Sequence, residues 1–114
     1  MEEKIAILRK FGCDVDGALN RMLDDEELFL DCVCQVLSDP AFDILETQVK
    51  EGNAPKAFEA AHSLKGIAGN TGITPLFDAI GVIVEKLRAG NLEGTDLDCA
   101  KIIETKNELI NIIG

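Results

Sequence analysis

Aromatic residues are scarce: the 114 residues include five Phe and neither Trp nor Tyr. A core with so few rings must rest on Ile, Leu, Val and Ala, which suits helix packed on helix. Basic residues are also few, 11 against 21 acidic ones, for a net charge of −10. That balance excludes a nucleic-acid partner, because phosphate backbones are gripped by clustered Lys and Arg. It also disfavours docking to an anionic membrane surface. No apolar run approaches the roughly 18–20 residues of a membrane span, and Met1-Glu2-Glu3 is the wrong start for a secretory signal. A monomeric chain in the cytoplasm is the expectation, either free-standing or a domain of a longer protein.

Without an export signal, the four cysteines (Cys13, Cys32, Cys34 and Cys99) are not expected to form a disulfide framework. A metal site is the sharper alternative, with His62 as a fifth candidate ligand. Cys32 and Cys34, however, stand two apart in a helical pattern and so point about 200° away from each other. They cannot grip one ion without unwinding the helix. The thiols are read as structural, and no metal or cofactor is expected.

What the sequence does contain is an ordinary globular balance, 46% apolar and 28% charged residues, enough for one core over residues 1–114. Turn signals divide it into helices, with no convincing strand. A first helix is expected over Glu2–Lys10, stopped by Phe11-Gly12, and a short second over Asp16–Leu23. Asp24-Asp25-Glu26-Glu27 opens a third with acidic residues at its N-terminus. Asp39-Pro40 starts a fourth, Asn53-Ala54-Pro55 a fifth, Thr74-Pro75 a sixth and Thr95-Asp96 a seventh. Four segments, roughly 25–38, 54–69, 75–89 and 96–113, are long enough for an antiparallel four-helix bundle with short connections. The segment over 40–51 is read as a possible continuation of the third helix through a bend at Pro40.

The fifth helix carries the one histidine. At about 100° per residue, Ala57, Ala61, Leu64 and Ala68 form its core stripe, and His62 projects about 140° away from them, into water. Its outer-face neighbours are Pro55, Phe58, Glu59, Lys65, Gly66 and Gly69. Each glycine costs about 0.5–1 kcal/mol relative to Ala inside a helix, so two of them beside an exposed imidazole read either as cleared space or as positions for close packing of two helices. Lys65 lies three residues on, a neighbour across the helix surface. These parts suit phosphoryl transfer. A neutral imidazole offers a nucleophilic nitrogen, and an ammonium offsets the roughly two negative charges a phosphoryl group brings.

The string Ala61-His62-Ser63-Leu64-Lys65-Gly66, followed by Asn70 and Gly72, resembles the signature of histidine phosphotransfer (HPt) domains, the carrier modules of two-component phosphorelays. Phe11-Gly12, Asp16 and Asp25–Leu30 before it, and Glu85 and Ala89-Gly90 after it, extend the likeness over roughly residues 10–113. The resemblance implies a four-helix bundle with His62 as the exposed phospho-accepting residue, Lys65 as its basic neighbour and Gly66 as the small residue that keeps the phosphate accessible. It implies exchange with an aspartate on a receiver domain of a response regulator or hybrid histidine kinase. Nothing in the chain resembles an ATP-binding fold, so a carrier is implied and not a kinase. Ile67, Gly69, Asp24 and Gly81 depart from the pattern. Because a receiver's phosphorylation site is itself acidic, docking is expected through an apolar patch, with Phe58, Glu59, Ile67 and Gly69 as candidates. The competing reading is a non-catalytic helical module that binds a response regulator without passing phosphate.

Overall fold

The computed structural model describes residues 2–113; of the single domain expected over 1–114, Met1 and Gly114 lie outside the described residues. Among the described residues seven helices follow one another: α1 (Glu2–Phe11), α2 (Val15–Arg21), α3 (Glu26–Leu37), α4 (Ala41–Lys50), α5 (Ala54–Asn70), α6 (Thr74–Arg88) and α7 (Thr95–Ile113). Among the described residues there is no strand.

Several helix starts are set by side-chain caps. The carboxylates of Asp14 and Asp25 accept from the backbone N–H groups of Gly17 (3.1 Å) and Leu28 (3.0 Å), opening α2 and α3. The Asn53 side-chain oxygen accepts from Lys56 N–H at 3.1 Å to open α5. Two expectations shift. α2 stops at Arg21 and not at Leu23, because Leu23 and Asp24 both take left-handed backbone angles, φ 56° and 61°. Thr74 lies inside α6 and does not cap it: Ile73 holds the cap position without a side-chain hydrogen bond.

α3 and α4 act as one bent rod. They do not pack side by side, and both lean on α5 and α7. The bend falls at Ser38–Pro40, where Pro40 has no N–H to continue the helical ladder and Asp39 N–H reaches back only to Val36 O at 3.1 Å. At about 1.5 Å per residue the two helices together account for roughly 33 Å of rod, against the molecule's 42 Å long dimension. The first member of the bundle is therefore α3 plus α4, not residues 25–38 alone, and α4 supplies most of its packing against α5.

The remaining packing partners run antiparallel. Phe58 of α5 meets Arg88 of α6, whereas Lys65, further along α5, meets Phe77, earlier in α6. Likewise Phe42 of α4 sits under Lys106 of α7, whereas Val49 and Lys50 lie beside Cys99 and Ala100. The core between the rods is aliphatic: Leu45, Leu64, Leu76, Ile80, Ile83, Val84, Ile102 and Leu109 are fully buried, with Phe29 and Phe42 the only rings nearly so. α1 and α2 lie outside the four rods and pack on α7 and α3.

Candidate functional site

α5 is tightly fixed on its inner side. Ala57, Ala61, Leu64 and Ala68, the stripe expected from the wheel, are each 0% exposed. Its C-terminus is closed three ways. Thr71 Oγ1 donates to Ile67 O at 2.7 Å. Gly72 turns the chain at φ 73°, where an added Cβ would strike the backbone carbonyl of Asp14. Arg21 Nε and Nη2 donate to Asn70 O at 3.1 and 2.9 Å, and Nη2 to Gly69 O at 3.2 Å. A guanidinium on the orphan carbonyls of a helix end also complements the helix dipole.

From this anchored helix His62 points into solvent. No hydrogen bond or ion pair among the described residues engages its ring. Its one aromatic neighbour is Phe58, one turn earlier, with ring centroids 5.5 Å apart and planes tilted by 56°. The imidazole opens onto a groove of about 310 Å³ between α5 and α6, lined by His62, Lys65, Gly66, Gly69, Asn70, Phe77 and Arg88. On a chain of net charge −10, this groove is lined by two cations and no carboxylate. Lys65 Nζ rests 5.4 Å from the centre of the Phe77 ring, and Arg88 Cζ 5.1 Å from that of Phe58. Glu85, outside the lining, stands 3.6 Å from Arg88 Nε as an exposed pair, an arrangement that contributes little in water.

A family model described as the Hpt domain matches residues 34–113 of this chain. The chain belongs to the Hpt domain family. A search of curated proteins and a search of solved structures each return no match. Hpt domains are the histidine-phosphotransfer modules of phosphorelays, phosphocarriers that work with receiver domains. The matched stretch holds all of α4–α7 and the His62 groove. α1, α2 and most of α3, with the Arg21 clamp, lie before it.

Within this Hpt domain the two helix glycines have different surroundings. An added Cβ at Gly66 would meet nothing within 4 Å, whereas one at Gly69 would stand 3.1 Å from Phe77 Cε2. Gly66 thus leaves open space beside His62. Gly69 leaves none: its missing side chain lets the Phe77 ring pack onto α5.

The residues expected to edge a docking patch are likewise spread over three sides of α5. Phe58 flanks the imidazole, and Gly69 lines the His62 groove. Ile67 is half-buried and faces α3, in a groove with Cys32, Gln35, Val36, Asp39, Asn70 and Thr71. Glu59 faces α4, beside Ala41, Ile44, Lys56, Ala60 and Ser63. Ile67 follows His62 by five residues, about 140° around the helix, so of the four candidates it lies furthest round toward α3.

Sequence reasoning missed Arg88. Its position in the last turn of α6 reads as a cation complementing the helix C-terminus. Only the antiparallel register of α5 and α6 reveals that it lies over Phe58, beside His62. The cysteines are dispersed: Cys13 and Cys99 are buried, Cys32 half-buried and Cys34 exposed. Burial pushes the Cys13 and Cys99 thiols up to about 11. Among the described residues no cluster of three or more His, Cys, Asp or Glu side chains is placed to hold a metal, and no helix is long and apolar enough to cross a membrane.

Proposed function

We propose that this Hpt domain is a phosphorelay carrier in which His62 accepts a phosphoryl group from the phospho-aspartate of one receiver domain and passes it to another. The reading is carried by one observation: the chain's single imidazole opens, with no bonding partner among the described residues, onto a groove lined by two cations and, among those residues, no carboxylate. In the forward step an imidazole nitrogen attacks phosphorus, an N–P bond forms, and the acyl O–P bond breaks to release the aspartate carboxylate. In the return step a receiver's carboxylate attacks the same phosphorus, and the imidazole leaves.

Four residues around the imidazole have roles in this chemistry: Lys65, Arg88 and Gly66 of the groove, and Phe58 beside it. Lys65 and Arg88 offset the charge of the phosphoryl group, since hydrogen bonds between ionised partners are the strong ones. Gly66 leaves room for a receiver's acidic loop to bring its carboxylate in line with the N–P bond. Phe58 gives the partner an apolar contact beside the reacting nitrogen. The receiver brings its own carboxylates and metal ion, so the Hpt domain itself needs little acid–base machinery. The partner is therefore a receiver of a response regulator or hybrid kinase, engaged by one Hpt chain at a time.

Phosphotransfer profiling tests this. Purified receivers from the same genome, charged with acetyl phosphate, are mixed with the Hpt chain, and label is followed on both proteins. Wild type is expected to gain label as a receiver loses it, and His62→Gln to gain none. Equal labelling of the Gln variant would refute the assignment, and binding without transfer would favour the docking-module reading.

A further inference from the structure

We infer that Phe58 and Phe77 make the docking face sensitive to phosphorylation: in the unphosphorylated protein each ring carries one of the groove's two cations, and a phosphoryl group on His62 draws those cations off and bares the rings to the partner. The inference rests on the phosphocarrier reading of His62 and adds a way for a partner to tell the loaded carrier from the empty one.

Both cations of the groove are parked in the same manner. Lys65 Nζ lies 5.4 Å from the Phe77 centroid and Arg88 Cζ 5.1 Å from that of Phe58. Neither has a strong competing anion. Lys65 makes no ion pair among the described residues, and Arg88 has only the exposed Glu85 at 3.6 Å. A cation resting on a ring in contact with water is weakly held. A charge-assisted bond to a dianionic phosphoryl oxygen is much stronger, so the exchange runs toward the phosphate once one is present.

The geometry permits that exchange. Lys65 is one turn from His62 on the same helix, and Arg88 rests on a ring whose centroid is 5.5 Å from the imidazole. Gly66, beside His62, presents no side chain in the way. Opposite on α6, Gly81 does not crowd the lysine stem, since even an added Cβ there would make only an ordinary contact, 3.9 Å from Lys65 Cε. The rings themselves stay in place, because Phe58 and Phe77 are half-buried and packed against the core. What phosphorylation changes is the outward face of each ring, from cation-covered to apolar. An apolar contact on the receiver then favours the phosphorylated carrier and releases the empty one.

The test uses the whole chain and phosphoramidate, from which the imidazole takes phosphorus as the reagent's P–N bond breaks and ammonia leaves with the electron pair and a proton. NMR of the Lys65 ε-methylene and the Arg88 δ-methylene reads the parking directly. Before phosphorylation both are expected upfield, shielded by the rings, and afterwards both move to ordinary lysine and arginine positions. Binding is measured in parallel to a receiver whose acceptor aspartate is replaced by Asn, so that phosphate stays on the carrier. Wild type is expected to bind better when phosphorylated, by roughly two- to tenfold per ring, and the double variant Phe58→Leu, Phe77→Leu to lose most of that preference. Phosphorylated His62 with both methylenes unmoved, or an undiminished preference in the double variant, overturns the inference alone. Failure of phosphoramidate to place phosphorus on His62 overturns the phosphocarrier reading with it.

Discussion

Replacing Gly66 with Ala should make this Hpt domain more stable and a poorer phosphocarrier. Gly66 lies inside α5, is exposed, and has open space where a Cβ would stand. Alanine therefore enters without a clash and with ordinary helical angles. It should gain the usual Gly-to-Ala difference of about 0.5–1 kcal/mol, partly by restricting the unfolded chain. At ~2.1 cal/mol/K per residue, the unfolding entropy of a chain this long is roughly 240 cal/mol/K, so the midpoint should rise by about 2–4 °C. The new methyl would stand in the space beside His62 that an incoming carboxylate loop needs. A loss of ~1 kcal/mol in the approach would slow transfer roughly fivefold. Thermal unfolding followed by circular dichroism at the helix band gives the first quantity, and the rate of label transfer from a charged receiver gives the second. A destabilised variant would show that Gly66 serves packing and not access. A stabilised variant that transfers at the wild-type rate would show that the open space is not used.

Gly69→Ala should behave in the opposite way, because its Cβ stands 3.1 Å from the Phe77 ring; displacement of that ring should cancel the propensity gain, and urea unfolding should show a net loss of ~1 kcal/mol or more. Arg21→Ala removes three hydrogen bonds to the last carbonyls of α5; a loss of roughly 0.5–1.5 kcal/mol is expected because the site is exposed, with faster amide exchange confined to residues 67–72 and α2. The thiols should sort by burial: iodoacetamide at pH 8 should modify exposed Cys34 before the others and leave Cys13 and Cys99 unmodified in the native state, a pattern read by mass spectrometry. Because burial raises those two thiols from 9.0 to about 11, the folded state holds their protons longer than the unfolded state. Their contribution is full below pH 9 and lost as pH rises toward 11, so stability should decline over that window, and less steeply in a Cys13→Ala, Cys99→Ala variant.

The periodic parts of the molecule were legible without coordinates. The stripe of Ala57, Ala61, Leu64 and Ala68 is fully buried, as the wheel requires, and His62 stands out in water on the other side. Capping residues placed the starts of α3 and α5 correctly, since each rests on a local hydrogen bond that the sequence itself specifies. Less legible was whatever depends on two elements at once. The bend of the first rod is marked by Pro40 itself, but the end of α2 turns on two left-handed residues, neither of them glycine. Gly66 and Gly69 look equivalent on a wheel, yet α6 places a ring against one and nothing near the other. How far Ile67 faces α3 likewise depends on where α3 packs. Arg88 was invisible for the same reason: it is 26 residues from His62 in sequence, and only the α5–α6 register joins them.

The central claim, that His62 carries phosphate, has a direct test because the chain contains a single histidine. Protein labelled with ¹⁵N in histidine only is incubated with a phosphorylated receiver, and the imidazole nitrogens are observed by NMR together with ³¹P. One phosphoramidate phosphorus signal is expected, coupled to one ring nitrogen of His62, lost on acidification and retained in alkali. A phosphorylated receiver that binds this chain, while both ring nitrogens stay uncoupled and the phosphorus remains on the aspartate, would contradict it.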